Sequence, residues 1–359
     1  MWKKVSLVLM TLFLATVGVM NCGNVSYAQK VRPGDFRTFP DMGLRKILKE
    51  SLGKGEIEAN NIKKIVVKSY DEEVNIESLK GLDMFPNLEK FVIVDGQEEF
   101  SYTHNAENEA ILNSLTHLKQ FELENCTIKG EDIKLALPNL QILMLGSRDA
   151  GLNENHSSYR SLDVSQCPKL KKLNCWGVKT MTNLVLPENG KLIFLACGEN
   201  RLATITNLNK QINLKVLGCT NTKISKLPLS KLTKLRELYC SKTKIKKLDV
   251  RKNKNLKVLD VDMGSTKKII YSSQVSKDFL LQLNKAKKNR SIKNYLPKGY
   301  RYIETQDAGT GKKIKDGYNS ATSKLKKVGN TLVFKKKNRK MYVEFSSRWW
   351  PWWDDNYRK

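Results

Sequence analysis

The sequence predicts an α/β-type repeat solenoid, a right-handed coil whose turns each add one strand to a parallel sheet on the concave face. Three observations carry this. Four hexamers share one pattern: Leu170-Lys-Lys-Leu-Asn-Cys175, Leu192-Ile-Phe-Leu-Ala-Cys197, Leu214-Lys-Val-Leu-Gly-Cys219 and Leu235-Arg-Glu-Leu-Tyr-Cys240. Their cysteines fall 22, 22 and 21 residues apart, and self-similarity at a fixed short period marks a repeat array. Within each hexamer the fourth and sixth positions are apolar and alternate with variable ones, which is the two-residue period of a half-buried strand.

The N-terminus is set apart first. Lys3 and Lys4 precede an apolar run from Val5 to Met20, and Ser26-Tyr27-Ala28 follows as a small-x-small cleavage site. Residues 1–28 therefore read as a signal peptide for export. The run is 16 residues long, short of the roughly 20 that cross a bilayer. Cys22 follows Val19-Met20-Asn21, large residues where a lipidation motif needs small ones. No second apolar span follows, so the mature chain is expected to carry no transmembrane segment.

Residues 29–57 read as a helical N-terminal cap, with Phe39-Pro40-Asp41 opening a short helix from Gly43 to Leu52. The repeats occupy 58–272. Leu256 to Val261 continues the hexamer series, and upstream Leu140 to Leu145, Leu118 to Leu123, Leu88 to Ile93 and Ile62 to Val67 share its frame, making nine rows. One row cannot bury its own apolar edge, so neighbours stack and their strands pair. At about 4.8 Å per strand, nine rows make a sheet roughly 43 Å long. A period near 21 leaves little room for a full helix on the return. The returns carry their own frame, Ile224-x-x-Leu227-x-Leu229 and Ile245-x-x-Leu248-x-Val250, and read as short extended or 3₁₀ pieces on the convex side. Just after each strand the turn needs a polar group for its buried backbone. Cys126, Asn200, Thr222 and Thr243 occupy that position, and Val178 interrupts the series.

Two rows are long: thirty residues separate Ile93 from Leu123 and Leu145 from Cys175. The polar insertions, Glu98 to Asn113 and Ser147 to Arg160, read as surface loops. From Ser273 to Lys359 the chain differs, with 22 Lys and Arg against 7 Asp and Glu. This 273–359 stretch reads as a small basic C-terminal module. Val275 to Lys288 has helical spacing through Val275, Phe279, Leu280 and Leu283, and Thr331 to Phe334 and Met341 to Phe345 read as a hairpin around Lys335 to Lys340.

On these residues the chain resembles the internalin-like leucine-rich-repeat proteins secreted by Gram-positive bacteria. The resemblance is to the subgroup with Leu-x-x-Leu-x-Cys strands and Leu-Asp-Val-Ser returns, here Leu162-Asp-Val-Ser165 and Leu248-Asp-Val250. The cap matches as well, in Phe39-Pro40-Asp41 and in Ile76 to Leu88. The match runs over roughly residues 38 to 272 and implies the leucine-rich-repeat fold and a binding role, with no particular ligand. Relatives often carry an acidic calcium loop after the cap helix. Gly53-Lys54-Gly55-Glu56 lacks the alternating carboxylates, so no metal or cofactor is carried over.

The chemistry-bearing residues point to binding. The chain carries a formal net charge of +28, which favours anionic partners such as a cell-wall polymer or membrane surface. Apparent export argues against nucleic acid. The mature cysteines, Cys126, Cys167, Cys175, Cys197, Cys219 and Cys240, include no C-x₂₋₄-C pair for zinc. The four hexamer cysteines read as small buried hydrophobes, although adjacent rows lie within disulfide range. No nucleophile, H-E-x-x-H or phosphate-loop motif is present, so no enzyme is expected; the alternative is a secreted colonisation or virulence enzyme whose site lies in the insertions, beside His104 or His156, or in the C-terminal module. The frame turns Lys172, Trp176, Phe194, Glu237 and Tyr239 outward on the concave face, alongside Lys64, Lys90 and Met144. They either recognise a protein or glycan or merely shield the sheet. Lys335, Lys336 and Lys337 with Trp349, Trp350, Trp352 and Trp353 either retain the protein on an anionic surface or fold back over the open end of the coil.

Overall fold

The computed structural model describes residues 29–345 apart from 69–72, 95–99, 131, 147–156, 274, 288, 308–309, 311, 315–317, 320–323 and 326–329. The signal segment, the second insertion up to His156, and Trp349, Trp350, Trp352 and Trp353 lie outside the described residues.

The chain is a leucine-rich-repeat solenoid. Each of the nine hexamers forms a strand of one parallel sheet: β1 Lys64–Val67, β2 Lys90–Val94, β3 Gln120–Glu124, β4 Ile142–Met144, β5 Lys172–Asn174, β6 Phe194–Ala196, β7 Val216–Gly218, β8 Glu237–Tyr239 and β9 Val258–Asp262. The register aligns the fourth hexamer position throughout, so Leu143, Leu173, Leu195, Leu217, Leu238 and Leu259 form one ladder. All six are fully buried, and each gains a neighbour only by stacking. The sixth position extends the ladder. The Cys175, Cys197, Cys219 and Cys240 amides donate to the next row's carbonyls of Ala196, Gly218, Tyr239 and Asp260 at 2.7–3.0 Å.

The turns after the strands use the expected polar residues. Asn200 Nδ2 donates to Cys197 O at 2.6 Å, while Thr222 and Thr243 Oγ1 donate to Cys219 O and Cys240 O, each at 2.8 Å. Cys126 Sγ reaches Glu124 O at 3.4 Å. One residue earlier, Asn125, Gly177, Glu199, Asn221 and Lys242 all have φ between 51° and 84°. Asn and Gly suit this left-handed position, whereas Glu199 and Lys242 hold it against about 1–2 kcal/mol each. The returns are partly strand: Val74–Ile76, Phe100–Thr103 and Thr127–Lys129 pair in parallel, as do Asp132–Lys134, Ser161–Asp163 and Asn183–Val185, and Lys247–Asp249 pairs Lys268–Ile270.

The cap helix α1 spans Met42–Leu52. Asp41 accepts from Leu44 N at 2.7 Å and from Glu77 N and Ser78 N, which ties the helix to the first coil. Gly43 sits against the Asn75 carbonyl, where a Cβ would collide. Glu56, the one carboxylate of the loop after the helix, pairs with Lys30 and Arg32.

The structure corrects two sequence readings. The first insertion is no loop over its whole length: after Phe100–Thr103 it forms α2, Ala106–Ser114, capped by Asn105, whose side chain accepts from Asn108 N at 2.9 Å. Asn108, fully buried, bonds Leu79 N, Thr103 O and Glu77 O and so locks the insertion to the first return. The segment from Val275 is no helix. Phe279–Asn284 is a tenth parallel strand, β10, beside β9. Its apolar residues fit both periods, and the open edge of β9 presents unpaired backbone that a strand satisfies and a helix does not. Phe279, Leu281 and Leu283 thereby extend the buried ladder.

The sheet then continues through β11 Arg301–Asp307, β12 Asn330–Lys336 and β13 Arg339–Glu344. Strand β13 pairs β10 in parallel, and β12 forms the expected antiparallel hairpin with β13. Strand β10 and this hairpin thus cover the edge that row nine would expose.

Candidate binding surface

Of the residues proposed for the concave face, Lys172 lies on β5, Trp176 two residues past that strand's end, Phe194 on β6 and Glu237 and Tyr239 on β8, and the structure divides them. Trp176 is 2 % exposed and Phe194 3 %. With Ala196 and Val216 they form an apolar cluster separate from the main core, against which Ile193 and Tyr239 pack. Lys172 is buried too, and burial lowers its ammonium's pKa, with Glu122 opposing the shift. The expectation of exposed aromatics is therefore corrected for Trp176 and Phe194, and Lys172 is not open to solvent either. Glu237 and Tyr239 remain half-exposed.

The reason lies in the neighbouring rows. Asn174, Ala196 and Gly218 occupy one register column. A Cβ on Gly198 would fall on Trp176 Cζ3 and Cη2. The indole thus lies over a strip of small residues, which lets its ring approach the sheet instead of standing in solvent. Leu-Ala-Cys-Gly198 and Leu-Gly-Cys219 were the available signal for this.

Beyond the cluster, rows nine and ten and strand β13 carry polar groups that sequence reasoning missed, Asp260 and Gln282 buried and Glu344 half-buried. Asp260 shares the register column of Tyr239, and Gln282 and Glu344 continue it. The frame placed Asp260 between Leu259 and Val261, so it was readable; Gln282 was hidden by the helical reading of its segment. Tyr239 Oη donates to Glu237 Oε2 at 2.9 Å. Burial pushes the Asp260 carboxyl up to about 6, against hydrogen bonds from Ser241 and Asn284 that lower it. Burial also raises Glu344, with Gln282 opposing. Glu237 and Glu344 are the named carboxylates partly open to solvent here, while Asp262 pairs with Lys285 at 2.9 Å.

The remaining candidates are structural or lie elsewhere. His104 is buried, its Nδ1 3.2 Å from Tyr102 Oη and its Nε2 3.1 Å from Glu109 Oε2. Burial holds its pKa below the usual histidine value, with Glu109 opposing. The cysteines Cys126, Cys167, Cys175, Cys197, Cys219 and Cys240 are buried free thiols. Burial pushes Cys167 up to about 11 and Cys219 to about 12, so they pack as protonated hydrophobes. Lys335 and Lys337 are exposed at the hairpin tip, whereas Lys336 Nζ donates to Ser273 O at 2.9 Å and Lys298 O at 3.1 Å. Among the described residues no group of three or more His, Cys, Asp or Glu is placed to hold a metal, and no helix is long and apolar enough to cross a membrane.

No family model and no curated protein matches the chain. The solved structures it is similar to include three internalins of Listeria monocytogenes. InlP shares 16 % identity over 88 % of this chain and 99 % of its own, with a TM-score of 0.43. Internalin C2 shares 20 % over 64 % and 96 %, at 0.40. InlF shares 20 % over 71 % and 86 %, at 0.33.

Proposed function

We propose that this chain is a secreted or surface-associated binding protein, and no enzyme, that recognises a protein partner through concave rows eight to ten. The observation that carries the reading is the half-exposed Glu237 and Tyr239 pair, set between the buried Trp176 cluster and the half-buried carboxylate of Glu344. An apolar, aromatic floor with a hydrogen-bonding rim is the usual anatomy of a protein interface. Carboxylates there repel anionic glycans and favour a partner that offers Lys or Arg, which ranks protein above glycan for this face. Against the enzyme alternative stands the burial of His104 between Tyr102 and Glu109; His156 lies outside the described residues. Export rests on the leader pattern of residues 1–28, and the segment boundaries at 57 and 272 belong to the same proposal. Retention on an anionic cell-wall polymer or membrane surface is assigned to the basic C-terminal region, with Lys335 and Lys337 as its exposed cations and the tryptophan tail as its apolar part.

Capture of host or bacterial surface proteins on immobilised residues 29–359 is the test. A partner retained by the wild type and lost on Glu237→Lys with Tyr239→Ala supports the concave site; unchanged capture removes it. Truncation after residue 345 tests retention, because removing everything from 273 would also strip Phe279, Leu281 and Leu283 from the core. Cell association that persists after this truncation and after Lys335→Glu with Lys337→Glu would end the retention reading.

A further inference from the structure

The convex side holds a feature that the concave-face reading does not use. Where the last coils meet the C-terminal strands, a cavity of about 1050 Å³ opens between the Lys268–Ile270 return and the start of β11. Five cations line it: Arg251, Lys268, Lys293, Lys298 and Arg301, with no carboxylate among its described lining residues. A second cavity of about 630 Å³ lies on the preceding returns and is lined by Lys226, Lys247, Lys252, Lys254 and again Arg251. Its single carboxylate, Asp249, is already engaged by Arg251 at 2.6 Å. All these cations are exposed. Because Arg251 borders both, the cavities adjoin as one basic groove.

The walls of the first cavity are built in advance. Tyr271 Oη donates to Tyr295 O at 2.8 Å, Val275 N donates to Tyr300 Oη at 3.4 Å, and Lys336 Nζ bridges the Ser273 and Lys298 carbonyls. Tyr271, Tyr300 and Tyr302 line it as half-buried rings. A preformed groove loses less entropy on binding than one that must order. Cations interleaved with partly covered aromatic rings suit a chain that carries anionic groups on a backbone with flat apolar faces.

We propose that this convex groove binds a linear anionic polysaccharide, its sulfate or carboxylate groups on Lys268, Arg301 and the lysines of the two cavities and its sugar faces on the tyrosines. The site is separate from the concave face, so its failure would leave the protein-binding reading untouched.

Calorimetry on residues 29–359 with a size-defined heparin oligosaccharide tests this, with neutral dextran, polyphosphate and oligo-dT of matched length as comparisons. Heparin is expected to bind and dextran to fail. Lys268→Glu with Arg301→Glu should weaken heparin by at least about tenfold, and Lys226→Glu with Lys254→Glu, confined to the second cavity, by a few-fold. Lys54→Glu with Lys80→Glu, exposed on the N-terminal cap and first coil, carries the same charge change and should leave affinity within about twofold. Equal weakening by all three pairs would mean net charge alone governs binding and would overturn the groove. Polyphosphate or oligo-dT binding as tightly through Lys268 and Arg301 would overturn the saccharide assignment, and no heparin binding would overturn both.

Discussion

Gly198→Ala probes the packing that closes the concave face over rows five to seven. Gly198 does not adopt a left-handed backbone, so alanine alone would add about 0.4–1 kcal/mol by narrowing the unfolded ensemble. The structure reverses that sign. The new methyl would fall on Cζ3 and Cη2 of Trp176 and lie 2.7 Å from the Thr220 carbonyl oxygen. Neither an indole ring nor a backbone carbonyl is a flexible chain end. The ring must swing out or the rows must part, and overpacking of this kind costs about 1–3 kcal/mol. Urea unfolding followed by circular dichroism reads the loss, and a red shift in tryptophan emission reports a displaced ring. In a Trp176→Leu background the ring contact disappears while the Thr220 contact remains, so the penalty should shrink without vanishing. A Gly198→Ala protein as stable as the parent, or an identical loss in both backgrounds, would refute the placement of Trp176.

Three further outcomes follow from the coil. Asp260, lifted to about 6 by burial from an ordinary 3.8, holds a proton when folded that it releases when unfolded, so its contribution is present below about pH 4 and lost as pH rises through 6. The full difference is about 3 kcal/mol; Asp260→Asn should gain on the parent between pH 4 and 8, and parallel stability profiles would contradict this. Leu217→Ala, in the centre of the buried ladder, should cost about 2–5 kcal/mol in urea denaturation. Lys242→Asn, at φ 51°, should stabilise by up to about 1 kcal/mol by relieving left-handed strain, visible as a higher unfolding midpoint.

How much of this was legible in the sequence depends on whether a residue's fate was set by the repeat. The Leu and Cys ladders, the polar turn at Asn200, Thr222 and Thr243, and the hairpin at Lys337 all follow from local pattern, because each row meets an equivalent neighbour. Burial of Trp176 does not follow from its own row, since it depends on Gly198 one row later. Strand β10 was misread because Phe279, Leu280, Leu281 and Leu283 satisfy two periods at once, and the deciding influence, the edge of β9, lies outside the segment. Helix α2 was overlooked although Asn105 followed by Glu107 and Glu109 carries an N-terminal signature. The convex groove was invisible because its cations come from segments between Lys226 and Arg301 that only the coil brings together.

Rows eight to ten are the face proposed to meet a partner. Photo-crosslinking decides it most directly, with a benzophenone amino acid in place of Tyr239 on the concave side or of Lys247 on the convex side, exposed to the same surface-protein extract. A discrete protein adduct from position 239 and none from position 247 is the predicted result. A protein adduct from position 247 alone would contradict it.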